Sequence, residues 1–169
     1  MENINGSCRF SQPSESNTNT ASMKVRTVFD QLQEIPLRFT CLGGNISVPY
    51  ELKDISEGTK TFVLILEDLD ALPKPWIHWL VFNIPASTTG TSEGVIPAGG
   101  VEGLANNHTF GYEGPCPKYF QGKHHYRLIV FALDTLLELP AASGKHEVME
   151  AMEDHVIDKA EIIGICTST

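Results

Sequence analysis

Four short clusters hold most of the side chains in this sequence that could do chemistry. The first is Glu67-Asp68-Leu69-Asp70, which closes an apolar run and is followed by Pro73 and Pro75. Asp68 and Asp70 share a parity, so on an extended chain both carboxylates point to one side, where they can accept hydrogen bonds and orient imidazoles. The second cluster is His78 within Trp76-Ile77-His78-Trp79. An imidazole in apolar company must find an acceptor for its N–H, and Asp68 or Asp70 would fix which nitrogen donates outward. Third comes Gly111-Tyr112-Glu113-Gly114-Pro115-Cys116-Pro117, whose glycines permit backbone conformations that present consecutive N–H groups to an anion. The fourth, Gly122-Lys123-His124-His125-Tyr126, puts His124 and Tyr126 on one strand face. Imidazole N–H and phenolic O–H both suit phosphate-like oxygens.

Each cluster also has a plainer reading. Acidic residues at a strand end are often only solvated, a histidine among apolar residues is often a satisfied core residue, and glycine-rich loops are common. Two other chemistries use the same residue types. Asp68, Asp70, His78 and His124 have the donor atoms of a two-histidine-carboxylate metal site, but no H-E-x-x-H or H-x-x-E spacing accompanies them, and no metal or other cofactor is expected. Cys116 near His124 would offer a nucleophile and a base, yet the sequence has no G-x-S-x-G and no identifiable orienting residue. Binding without catalysis is the expectation.

The elements that must position these clusters are mostly strands. From Lys24 onward short apolar runs alternate with turn-rich stretches, and only one segment has a helical pattern, which favours an all-β sandwich. Thr61 to Leu66 reads as a central strand buried on both faces. Trp76 to Ile84 and His125 to Leu133, rich in β-branched and aromatic residues, read as two more strands. Simple alternation places Trp76, His78, Leu80 and Phe82 on one face and Ile77, Trp79 and Val81 on the other. The connection from Pro85 to Gly122 is long and glycine-rich, which marks it as a binding loop. Val148, Met152 and Val156 form an apolar stripe on a helix over Lys145 to Val156, with Ser143 as its expected N-cap, and Ala160 to Ile165 reads as a last strand.

The chain of 169 residues suits one core, and its composition is that of a soluble globular protein. Residues 1–22 are dominated by Ser, Asn, Thr, Pro and Gln and read as a polar tail ahead of a single domain over 23–169. A net charge of -9 without a Lys/Arg cluster argues against nucleic acid as a partner. No apolar run approaches the roughly 20 residues of a membrane span, and the first residues lack a secretory signal pattern, so a cytoplasmic location is expected. Cys8, Cys41, Cys116 and Cys166 form no C-x-x-C pair and are expected to be free thiols.

Taken in order, six motifs are similar to those of the phosphatidylethanolamine-binding protein family, in its prokaryotic YbhB/YbcL, or Raf kinase inhibitor-like, branch. They are Ile35 to Ser47 (I-P-x-x-(Y/F)-T-C-x-G-x-N-I-S), Asp68 to Leu72 (D-P-D-A-P), Trp76 to Trp79 (W-x-H-W), Gly111 to Lys118 (G-Y-x-G-P-C-P-P), Gly122 to Tyr126 (G-x-H-R-Y) and Ala151 to Val156 (A-M-x-G-H-V). The resemblance implies an antiparallel β-sandwich with a few peripheral helices, one near the C-terminus. It further implies a pocket for phosphate, acetate or a phospholipid headgroup, lined by Asp68, Asp70, His78, His124 and Tyr126, with Gly111, Tyr112, Gly114 and Pro115 at its rim. Relatives also suggest a kinase or protease as protein partner and a homodimer. Leu69 and Leu72 replace the two prolines of D-P-D-A-P, His125 replaces an arginine, and Asp154 replaces a glycine whose left-handed conformation an aspartate can adopt.

Overall fold

The computed structural model describes residues 22–168, so Cys8 and all but the last residue of the polar segment lie outside the described residues. Eight strands and one α-helix follow in order: β1 Lys24–Arg26, β2 Tyr50–Lys53, β3 Thr61–Asp68, β4 Trp76–Pro85, β5 Gly90–Thr91, β6 Val101–Glu102, β7 Lys123–Leu133, α1 Lys145–Met152 and β8 Val156–Thr167. They form a three-stranded sheet, β1-β2-β5, and a five-stranded sheet, β6-β4-β3-β7-β8, and the strand pairs of both sheets are antiparallel.

Every residue of β3 is buried, as its unbroken apolar sequence predicts, because the large sheet is covered on both faces. On one face, Phe62, Leu64, Leu66, Trp79, Tyr126 and Leu128 pack against Val25, Tyr50 and Leu52 of the small sheet. On the other, Val63, Ile65, Ile77, Leu80 and Ile129 pack against Val148 and Met152 of α1. Together the three layers bury the apolar surface that stabilises a domain of this size.

Several boundaries differ from the sequence pattern. The helix ends at Met152, a 3-10 turn spans Glu153–His155, and Val156 opens β8 in place of completing the apolar stripe. Strand β8 therefore starts four residues before Ala160, pairing along almost all of β7. Gly144, not Ser143, caps α1: its N–H donates to the Glu147 carboxylate at 3.1 Å, while the buried Ser143 spends its carbonyl on the Leu104 N–H. Asp154 lies inside the 3-10 turn and has no positive φ, so no left-handed residue is needed there.

The expectation of free thiols fails for two cysteines. Cys41 and Cys116, 75 residues apart, form a disulfide. Docking of the 37–45 turn onto the 112–116 loop brings them together: Tyr112 Oη donates to the Phe39 carbonyl, the Cys41 N–H to the Pro115 carbonyl and the Gly114 N–H to Asn45 Oδ1. A Cβ on Gly114 would lie 2.3 Å from the Phe39 oxygen, so only glycine permits this approach. Cys166 is a free, buried thiol.

Candidate functional site

His78 reaches its site through a break in the ladder. Leu66 pairs with Trp79, but the next residue, Glu67, pairs with Ile77, which leaves His78 as an extra residue opposite the β3 strand. Such a bulge breaks strict alternation. Trp79 and Val81 thus stay in the core between the sheets while Ile77, Leu80 and Phe82 serve the helix-covered face. The simple parity that grouped His78 with Leu80 and Phe82 is corrected by this bulge: His78 lies edge-on to Tyr126, with ring centroids 5.2 Å apart, on the inter-sheet side.

Asp68 sits at the end of β3, level with Trp76 on one side and Tyr126 on the other. Its Oδ2 accepts from His124 Nδ1 at 2.7 Å, and its Oδ1 accepts the Asp70 N–H at 2.9 Å. The His124 ring is further sandwiched by Phe120, stacked at 3.8 Å between centroids. Two fixed contacts thus set the orientation of His124.

His78 is oriented differently from the expectation. No carboxylate holds it; its Nδ1 lies 2.8 Å from the Glu113 carbonyl oxygen, which can only accept, so Nδ1 carries the proton. Burial lowers the His78 pKa below its usual 6.5, despite the raising influence of the Glu113 contact and of Asp68. In the neutral ring Nε2 is therefore a bare acceptor and becomes a donor when the ring gains a proton. Burial, and secondarily the negative Asp68, push the Tyr126 phenol far above its ordinary pKa, so it stays an O–H donor.

These groups line a cavity of about 400 Å³ together with Glu113 and Cys116. Its mouth is apolar: Ala71, Leu72, Trp76, Tyr119 and Phe120 surround it, with Leu72 93% and Tyr119 84% exposed. Of the residues singled out in the sequence, Asp68, His78, His124 and Tyr126 converge here. Asp70 does not; it accepts from the backbone N–H and the ring Nδ1 of His125, at 2.7 and 2.8 Å. Gly111, Tyr112, Gly114 and Pro115 also lie outside the cavity lining, and Tyr112, Gly114 and Pro115 dock the loop that carries Glu113 and Cys116. The glycine-loop amides at Glu113 and Gly114 donate to the His78 carbonyl and Asn45, so they are occupied within the protein.

Sequence reasoning gave Glu113 only a place in the glycine-rich loop and missed Phe120 and Tyr119. An aromatic pair four residues before His124 was the available signal for the last two. The missing proline at position 69 also has a visible consequence, since the Leu69 N–H extends the β3–β7 ladder by donating to the His125 carbonyl. Cys116, bonded to Cys41, has no thiol to act as a nucleophile, and no group of three His, Cys, Asp or Glu among the described residues is arranged to hold a metal ion. A larger cavity, about 540 Å³, lies against Ile77 and the start of α1 on the other face of the sheet. It is lined by none of Asp68, His78, His124 and Tyr126, so chemistry favours the smaller one.

Residues 25–167 match the family described as phosphatidylethanolamine-binding protein. A UPF0098 protein of Methanothermobacter thermautotrophicus is 42% identical over 149 residues, covering 85% of this chain and 97% of the relative. Another, from Pyrococcus horikoshii, is 37% identical over 151 residues, covering 85% and 76%. Among solved structures, the homolog CT736 of Chlamydia trachomatis superposes with a TM-score of 0.82 at 32% identity, over 88% of this chain and 99% of that one. YbcL of Escherichia coli, described as a new member of the mammalian PEBP family, superposes with a TM-score of 0.79 at 28% identity, over 88% and 100%.

Proposed function

We propose a function from the premise that this chain belongs to the phosphatidylethanolamine-binding protein family: it is a binding protein without catalytic activity whose cavity holds a small phosphate-like oxyanion. The observation that carries the reading is the convergence of His78, His124, Tyr126 and Asp68 on one cavity from the ends of β3, β4 and β7. Tyr126 supplies a permanent O–H donor. His124, anchored at Nδ1, offers Nε2–H to a ligand when its ring is protonated, and His78 does the same. An arriving anion stabilises the protonated form of His78, so ligand and proton are taken up together there.

The lining favours binding over covalent chemistry. It contains no serine or threonine, its cysteine is engaged in the disulfide, and its buried phenol resists ionisation. Inorganic phosphate titrated calorimetrically into the protein at pH 6.5 is expected to bind at one site, and His78→Ala to weaken that binding about tenfold. Equal binding by both proteins would remove His78 from the site.

A further inference from the structure

The larger cavity, on the other face of the sheet, carries a chemistry of its own. Strand β4 separates the two: Ile77 lines the larger cavity, the next residue, His78, lines the smaller, and they share no lining residue. The floor is apolar, built from Ile77 and Ala105, each 4% exposed, with Leu104 and Met149 beside them. The backbone of this floor is satisfied within the protein. Ile77 and Asn106 exchange two hydrogen bonds, and the Leu104 and Ala105 N–H groups donate to the Ser143 and Thr109 carbonyls. Recognition of a polar ligand group therefore falls to side chains, and those are mostly basic. Lys74 comes from the β3–β4 connection, His108 from the β6–β7 connection, and Lys145 and His146 from the first turn of α1. The one carboxylate among these lining residues, Glu147, accepts the Gly144 N–H. Beneath the rim, Lys145 shares the buried Glu67 with Arg127, which also reaches Glu161. Lys74, His108 and His146 form no ion pair among the described residues. On a chain of net charge -9 this is a local reversal of sign, and a cleft lined by one sign of charge concentrates its counter-ion.

We propose that this cavity is a second binding site, for a small amphipathic anion: a carboxylate or phosphate monoester joined to an apolar body. The head group meets Lys74, His108 and His146, which donate to its oxygens, and the body covers Ile77, Ala105 and Met149. The volume of about 540 Å³ lies within the range of small-molecule sites, roughly 300–1,000 Å³. Neither half of the ligand suffices. A bare anion leaves the apolar floor wet, and an uncharged body leaves the basic rim without a partner.

Octanoate, octanol and acetate separate the two halves of this recognition. In calorimetric titrations of the intact protein at pH 7, octanoate is expected to bind at least about tenfold more tightly than octanol or acetate, the size of effect a charge-assisted hydrogen bond confers. The double variant Lys74→Ala, His146→Ala should lose the preference over octanol. Both side chains are exposed, so its thermal melt should match that of the unaltered protein. His78→Ala should bind octanoate unchanged, because His78 lines only the other cavity. Octyl phosphate then names the head group: binding tighter than octanoate assigns a phosphate monoester, and weaker binding a carboxylate. The inference is overturned if octanoate binds no better than octanol, or if His78→Ala abolishes its binding while the double variant does not, which would move the ligand to the smaller cavity. The unaltered protein and His78→Ala suffice for both of these outcomes should the double variant fail to fold, since loss of octanoate binding in His78→Ala alone refutes the site. Binding of inorganic phosphate at His78 stands or falls on its own titration.

Discussion

His78 and Glu113 grip each other across two chain segments: the Glu113 N–H donates to the His78 carbonyl at 2.9 Å, and His78 Nδ1 donates to the Glu113 carbonyl at 2.8 Å. One bond aligns the backbones and the other fixes the imidazole tautomer. The bulged residue of β4 and the loop that precedes β7 therefore act as one unit, and four expectations follow from this unit and its surroundings.

The first concerns pH. Because burial lowers the folded-state pKa of His78 below 6.5, the unfolded chain takes up the proton first as pH falls. The stability associated with a neutral His78 is thus complete above about pH 7 and declines as pH drops through 6.5. Urea unfolding of the ligand-free protein between pH 5 and 8 should show a shallower rise of stability with pH in His78→Gln than in the wild type. Parallel curves would contradict the depressed pKa.

Asp68 is expected to matter for binding through His124. Asp68→Asn exchanges the charged acceptor for an amide and loosens the 2.7 Å anchor of the ring. Phosphate affinity should fall about tenfold, with a stability loss of about 1–2 kcal/mol because Asp68 is buried. Unchanged affinity in a folded variant would show that His124 needs no positioning.

Behind the site, Glu67 is buried and accepts from Arg127 and Lys145, each at 2.5 Å. Burial would raise its pKa, but these two cations outweigh burial and hold it below the usual carboxylate value. Its stabilising contribution is present above about pH 4.5 and is lost as pH falls through the lowered folded pKa. Glu67→Gln is expected to cost about 2–4 kcal/mol at neutral pH, because two partly buried cations lose their counter-charge. A change below about 0.5 kcal/mol in thermal unfolding would show the cluster to be neutral.

The disulfide ties the cavity's Cys116 to the 37–45 turn across 75 residues of sequence. Cys41→Ser with Cys116→Ser should lower stability by about 2–4 kcal/mol, chiefly through a freer unfolded chain. Thermal melts with and without a dithiol reductant check this: the wild type should respond to the reductant and the double variant should not.

Much of this was legible in the residues themselves. The apolar continuity of β3, the β-branched runs of β4 and β7, and the order of the six motifs depend only on local side-chain pattern, and they led to the sandwich and to the family. Helix α1 was legible as well, except at its ends, where Gly144 and Val156 take roles decided by Glu147 and by the β7 register.

What the sequence by itself determined, then, is which residues could meet: Asp68, His78, His124 and Tyr126 are the polar residues its strand pattern delivers to the ends of buried strands. Only the tertiary structure decided how they meet. The bulge that turns His78 toward Tyr126 exists because β4 carries one more residue than β3 between paired positions, a property of two strands at once. Likewise Asp70 turns to His125, Cys41 finds Cys116, and the Glu113 carbonyl fixes the His78 ring, each through docking of segments far apart in the chain. Alternation along one strand is a local rule, whereas register and loop docking are settled by the partner.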